Sequence, residues 1–278
     1  MREEVELLRV GEVELYVEDT GPLGAPALAV VHGGPGGSSY LLREGFGEAL
    51  EDYRVIYFDQ RGSGRSPELP PEPHLFTIDA LVEDLEGLRE ELNIESWGLI
   101  AHDFGAVPAL EYARRFPDRI SHVLLIAPWV HFPKLARQLA KAAGVIDPPE
   151  GFEALEAALR AGDPKLLFDQ LFFPTQHGRL ELEWQLEGGP WGSDRPAQMM
   201  VLNGLWELDY TPFLLRHPRP PSVLVGEVDG SSYPEQAEFV ADLTSGTLEV
   251  IPQAGHYPWI DQPAIFLELL LEHLSLQI

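Results

Sequence analysis

The sequence predicts an α/β fold: a mostly parallel central sheet flanked by helices, with a helical lid inserted after the sixth strand. Three observations lead there. Short apolar runs at 27–31, 54–58, 97–101 and 120–126 alternate with helical periodicity, and the first three stop at a polar or glycine-rich loop. That is the pattern of buried parallel strands joined by crossover helices. The rhythm lapses between 129 and 219, where no buried strand is visible, and resumes with runs at 222–225 and 247–251. The third is Leu99-Ile100-Ala101-His102-Asp103-Phe104-Gly105. It reads as a strand, a sharp turn with a reactive side chain at its tip, and a helix.

Taken in order, Glu4–Val10 and Glu12–Glu18 alternate apolar and polar around Gly11, which predicts an antiparallel hairpin with one face buried. Ala27–Val31 ends at His32-Gly33-Gly34-Pro35-Gly36-Gly37, and Ser38–Leu50 follows as a helix. Arg54–Phe58 stops at Asp59-Gln60-Arg61-Gly62-Ser63-Gly64-Arg65-Ser66, and a Pro-rich loop leads to Thr77, a natural cap for a helix reaching Leu92. After the turn at Asp103, a helix over Ala106–Arg115 is stopped by Pro117, and Ile120–Ile126 is the sixth strand. The stretch 129–219 predicts helices at 135–143, 152–161, 164–172 and 199–214, separated by turns such as Gly188-Gly189-Pro190. The core then comprises 1–128 and 220–278, with a helix at 234–243 between the last two strands and a terminal helix capped by Asp261.

The composition is that of a globular chain of 278 residues, 45% hydrophobic and 23% charged. A net charge of -26 argues against nucleic acid or an anionic membrane as partner. There is no cysteine, hence no disulfide and no thiolate metal site, and no metal or cofactor is expected. The beginning MREEVELL lacks the apolar core of a signal peptide, and no apolar run approaches the ~20 residues of a membrane span. A cytoplasmic protein acting on a small molecule or short peptide is expected, with a homo-oligomer left open. Two Asn, three Met and 25 Pro fit a heat-stable protein or a GC-rich genome.

Three residues fall on loops just after predicted parallel strands: Asp103, Asp229 and His256. Ligands of open α/β sheets bind at that edge. The chain order nucleophile, acid, histidine and the 27-residue interval between Asp229 and His256 suit a triad. In it His256 is the base and Asp229 fixes its tautomer. Each alone has a plainer reading, Asp103 as a helix cap, Asp229-Gly230 as a turn pair and His256 as a turn histidine. Three in order favour the site. His102 is expected to pack behind the turn. The glycines at 33–37 do not match a phosphate loop, since no Gly-Lys-Ser/Thr follows. They suit an oxyanion loop, with the N–H groups of Gly34 and Phe104 converging.

With these residues in view the chain resembles the α/β-hydrolase superfamily, and within it the proline iminopeptidase family of aminopeptidases. The stretches 32–37 and 59–66 carry the narrower resemblance; the turn at 101–105, Gly226-x-x-Asp229 and Gly255-His256 carry the broader one. The resemblance spans roughly 12–128 and 220–275. It implies release of an N-terminal proline or other residue, a Ser nucleophile, an oxyanion hole at Gly34 and Phe104, and lid carboxylates that hold the substrate's amine. This chain departs from it twice: Asp103 stands where Ser is usual, and Gly230 where some members carry an amine-binding acid. Glu207, beside Trp206, is the best remaining candidate for that acid, against the plainer reading of an exposed lid residue.

A carboxylate nucleophile suits displacement at saturated carbon, where it forms an alkyl ester that His256-activated water then cleaves. Haloalkane dehalogenases and epoxide hydrolases resemble the chain in this respect, and His32-Gly33-Gly34-Pro35 fits the latter. Their accessory groups match less well. Phe104 and Gly34 stand where halide donors are usual, with Trp184, Trp191 or Trp206 as partial replacements, and 129–219 holds a single tyrosine, Tyr210. The expected function is thus a hydrolase of the proline iminopeptidase type. An Asp-nucleophile hydrolase comes second and a catalytically silent binding protein third.

Overall fold

The structure, a computed structural model, describes residues 3–187, 189–190 and 192–275. The expected turn residue Gly188 and the lid tryptophan Trp191 lie outside the described residues. Among these residues eight strands form one sheet: β1 (Glu3–Val10), β2 (Val13–Thr20), β3 (Ala27–Val31), β4 (Arg54–Phe58), β5 (Trp97–His102), β6 (Ile120–Ile126), β7 (Ser222–Gly226) and β8 (Thr247–Ile251). Their spatial order is β1-β2-β4-β3-β5-β6-β7-β8. The β1/β2 and β2/β4 pairs are antiparallel and the rest parallel.

The apolar runs are apolar throughout because both faces of the sheet are covered. Along β3, Ala29 and Val31 face one core with Leu85, Leu88, Leu110 and Val240. Leu28 and Val30 face the other, with Leu42, Phe46, Phe266 and Leu270. The first face carries α2 (Ile78–Glu91), α3 (Ala106–Arg115) and α9 (Pro234–Thr244); the second carries α1 (Tyr40–Phe46), α10 (Pro258–Asp261) and α11 (Pro263–Ser275). Thr77 caps α2 as its position implies, its hydroxyl accepting the Ala80 N–H at 3.1 Å.

Between β6 and β7 lie α4 (Phe132–Ala142), α5 (Gly151–Ala161), α6 (Pro164–Phe172), α7 (Gln176–Gln185) and α8 (Asp194–Leu202). Of these, α4, α5 and α6 share a small core of their own built on Ala136, Leu139, Ala154, Leu155 and Leu167.

Four expectations are corrected. The hairpin does not bury a face of β1: it is the sheet's edge, and Val5 and Leu7 are exposed. The helix expected over 199–214 ends at Leu202, where Gly204 turns left-handed at φ +83°, and only single 3-10 turns follow. A helix at 176–185, capped by the Thr175 hydroxyl, went unread because its mixed polarity hides the periodicity. Asp261 does not cap the terminal helix; its carboxylate accepts the Gly255 N–H at 2.9 Å and so pins the loop bearing His256.

Candidate active site

β5 runs straight into the turn that presents Asp103, whose φ of +58° lies in the left-handed region. A non-glycine residue held there is strained and marks a position where surrounding structure dictates the backbone. The surroundings are tight. A Cβ on Gly105 would meet the carbonyl oxygens of Val31 and His32 at 2.5 and 2.7 Å, and one on Gly33 would meet the Asp103 Cβ at 2.5 Å. The glycine after the turn is therefore obligatory, whereas the methyl of Ala101 is simply buried in the core.

The Asp103 carboxylate is divided between two partners. Oδ1 accepts the N–H of Phe104. Oδ2 lies 3.4 Å from His256 Nε2, and His256 Nδ1 lies 2.9 Å from Asp229 Oδ2. Asp229 is held in turn: its Oδ1 accepts the Ser231 N–H, the Ser231 hydroxyl and the Ser232 N–H at 2.8, 2.7 and 3.0 Å. The same Ser231 oxygen is 3.0 Å from His256 Nδ1 and accepts the Trp129 indole N–H at 3.3 Å. Ser231 thus ties acid and histidine together; the only trace of it in the sequence is its place in the Asp-Gly-Ser turn.

Electrostatics follow from this arrangement. Burial alone would strip the proton from His256, but Asp229 and Asp103 outweigh it and raise its pKa to about 9. Burial raises the Asp103 carboxyl, with His256 pulling the other way. At neutral pH His256 is therefore held as an imidazolium. His102 is held neutral, its pKa well below the usual histidine range, by burial and by the neighbouring charge of His256. It packs behind the turn against Trp259 as expected, yet it also borders the cavity, with Nε2 3.2 Å from the His256 carbonyl oxygen. The donor atoms of His102, Asp103 and His256 lie within 4.8 Å of one another, the only trio among the described residues placed to share a metal ion. The Asp103–His256 contact already engages two of them.

Asp103 opens onto a cavity of about 550 Å³ between the sheet edge and the lid. Its walls are mainly apolar: Trp129, Phe132, Phe168, Phe172, Leu205 and Trp206. Phe172 lies flat on the His256 ring, 4.4 Å between centroids and 16° between planes. The lid is joined to the loops of Asp229 and His256 through the main chain. The His256 N–H donates to the Phe172 carbonyl at 2.9 Å and the Gly230 N–H to the Leu171 carbonyl at 2.8 Å.

Of the other expected site residues, Gly34 and Trp206 line the cavity. The Phe104 N–H is near but is taken by the Asp103 side chain. Glu207 is displaced from its expected role. It does not line the cavity; its carboxylate accepts the Phe152 N–H at 2.7 Å, and the unpaired donors at the start of α5 explain its place. Tyr210 donates to Glu111 at 2.9 Å away from the cavity, and Trp184 is exposed. Asp169, unnoticed in the sequence, is the lid carboxylate on the cavity wall, 3.3 Å from Arg179.

A model of the α/β hydrolase fold matches residues 26–263. A proline iminopeptidase of Heyndrickxia coagulans is 28% identical over 95% of this chain and 96% of its own length. The crystal structure of a proline iminopeptidase-related protein from Thermus thermophilus is 56% identical, with a TM-score of 0.96 over 100% of this chain and 99% of that one. The proline iminopeptidase of Mycobacterium smegmatis, at 20% identity and a TM-score of 0.75, shares the fold. The path from β5 through a strained turn into α3, in a chain matched along nearly its whole length by these relatives, places the protein in the α/β-hydrolase fold family as a hydrolase related to the proline iminopeptidases.

Proposed function

We propose that the protein hydrolyses a bond at saturated carbon, with Asp103 as the nucleophile and an alkyl ester of Asp103 as the intermediate. One observation carries this reading: the Phe104 N–H already donates to Asp103 Oδ1. That donor is aimed at the oxygen that becomes negative when water attacks an Asp103 ester, not at a site left open for a substrate carbonyl.

The chemistry runs in two halves. Oδ2 attacks carbon and the leaving group departs with the bonding pair. Esterification removes the charge of Asp103, one of the two that hold the proton on His256. The imidazolium is then free to lose its proton, and neutral His256 can take one from water. The hydroxide adds to the ester carbon while the Phe104 N–H stabilises the oxyanion. Collapse releases the alcohol, which takes its proton from His256, and the proton left on the Asp103 carboxyl passes to His256, restoring carboxylate and imidazolium. Asp229, fixed by Ser231 and Ser232, keeps the imidazole oriented throughout.

The relatives named proline iminopeptidases favour a second reading, an aminopeptidase. In that case the tetrahedral oxyanion forms on the substrate, where the Phe104 donor is not free, and a carboxylate attacking an amide collapses back more readily than it expels the amine. The test is alkylation of His256→Gln, which should stall at the ester, with styrene oxide or 1-bromohexane. A covalent mass on the Asp103 peptide, together with entry of oxygen-18 from labelled water into that peptide in the wild type, is the expected result. Asp103-dependent hydrolysis of a prolyl arylamide without any adduct would overturn it.

A further inference from the structure

The leaving group of such a reaction needs a partner, and the cavity holds few polar groups to serve. Trp129 spends its indole N–H on Ser231. Trp206 stands against Phe132, 6.1 Å between ring centroids, rather than against His256. Hydroxyls on the wall come from Ser38 and Tyr257. Of these only Tyr257 packs on the reacting groups, its ring 5.1 Å from that of His256 and 5.5 Å from that of His102. Its hydroxyl makes no hydrogen bond among the described residues, although Phe172, Phe173 and Trp259 fix the ring on other sides. A rigidly held phenol, unpartnered on the wall of a cavity that Asp103 also lines, is a hydrogen-bond donor waiting for an acceptor.

Resting on the ester reading, we propose that Tyr257 is the acid for the leaving oxygen and that the substrate is an apolar epoxide. The Tyr257 hydroxyl donates to the epoxide oxygen as Asp103 Oδ2 attacks a ring carbon. The carbon–oxygen bond breaks, its electron pair goes to oxygen, and the phenol proton follows. The phenolate recovers a proton from the imidazolium of His256, whose hold on it has weakened with esterification. That one transfer restores the acid and creates the base for the second half. Hydrolysis then yields a diol, and the proton freed when Asp103 returns to carboxylate goes back to His256. Burial, with the charges of Asp103, Asp229 and Asp169, keeps the phenol protonated well beyond the neutral range. An epoxide fits for a further reason: its oxygen stays tethered beside the ester and cannot diffuse to water for its proton, so the donor must be built into the wall.

The experiment compares His256→Gln with and without Tyr257→Phe in single-turnover esterification of Asp103, where the ester persists and is read by peptide mass, with styrene oxide and with 1-bromohexane, whose bromide takes no proton. The expected result is a loss of about 100-fold or more with the epoxide and under about fivefold with the bromoalkane, general acids contributing roughly 10²–10⁴. Equal losses with both probes would mean a packing role, and no loss with the epoxide would mean another donor; either overturns the assignment. Formation of the ester from the bromoalkane but not from the epoxide in His256→Gln would overturn the substrate class alone. Absence of any Asp103 adduct in His256→Gln would overturn the ester reading beneath it. The melting temperature of Tyr257→Phe, expected within a few degrees of wild type, separates unfolding from chemistry.

Discussion

Two clusters of buried charge sit on neighbouring loops of this molecule and are built to opposite ends. In the cluster of Asp59, Arg65, Glu18 and Arg43 every charge is answered. Asp59 accepts from the N–H and hydroxyl of Ser39 at 2.7 and 2.8 Å and from the Arg65 N–H and Nε at 2.8 Å each. Arg65 also reaches Glu18, and Arg43 pairs with Glu18 at 2.7 Å. Burial would raise the Asp59 carboxyl, yet Arg65 holds it below the usual carboxylate range. The other cluster, Asp103, His256 and Asp229, sets two carboxylates against one imidazolium, at a strained residue, on the wall of a cavity. A balanced cluster holds backbone; an unbalanced one has an equilibrium left to move. Buried charge by itself therefore does not mark chemistry; the residual charge and the open side do.

The sharpest way to break the contrast is Asp103→Asn. It should cost about 10⁴-fold or more in turnover with little loss of fold, because it removes the proposed nucleophile and relieves the excess of negative charge. Steady-state kinetics beside a denaturant titration checks both halves. The mirror experiment is Arg65→Met, which leaves Asp59 without a cation and Glu18 with Arg43 alone. It should cost about 3–5 kcal/mol in unfolding free energy, with whatever folds remaining active.

A smaller effect sharpens the electrostatics. The folded pKa of His256, at about 9, lies above the ordinary value of 6.5. Its protonation therefore contributes stability that is full below about 6.5 and is lost as pH rises through about 9. NMR titration of the ring should show this, and in Asp103→Asn the midpoint should fall by about a unit or more. The least effect belongs to Ser231→Ala: about 1–2 kcal/mol of stability and a modest fall in turnover, as Asp229 keeps its two backbone donors. A loss in Ser231→Ala equal to that of Asp103→Asn would mean that the hydroxyl takes part in proton transfer.

The sheet was legible because strands buried on both faces are written as unbroken apolar runs, and the order of Asp103, Asp229 and His256 is written in the loops that follow them. What escaped was whatever depends on partners distant in the chain. The stretches 32–37 and 59–66 are read separately, but they form one unit. The Gln60 N–H donates to His32 Nε2 at 2.9 Å, and the Gln60 amide to the His32 carbonyl at 2.6 Å. That leaves the proton on Nδ1, which donates to the Gly33 carbonyl at 2.8 Å and fixes the loop behind Asp103. Glu207 was misplaced for the same reason: nothing local says that an exposed glutamate will find the start of a helix 55 residues earlier. Tyr257 was visible as a neighbour of His256, but not that its hydroxyl lacks a partner.

The two main-chain hydrogen bonds from Leu171 and Phe172 to the loops of Asp229 and His256 bear on how such an enzyme can change. The lid is not a module to be exchanged while the machinery below stays as it was. Grafting the lid of a relative would have to reproduce those two carbonyl positions before any gain in substrate range could be read. Variation compatible with a working histidine is then steered away from the end of α6 and toward the far side of the pocket, around α8 and Trp206.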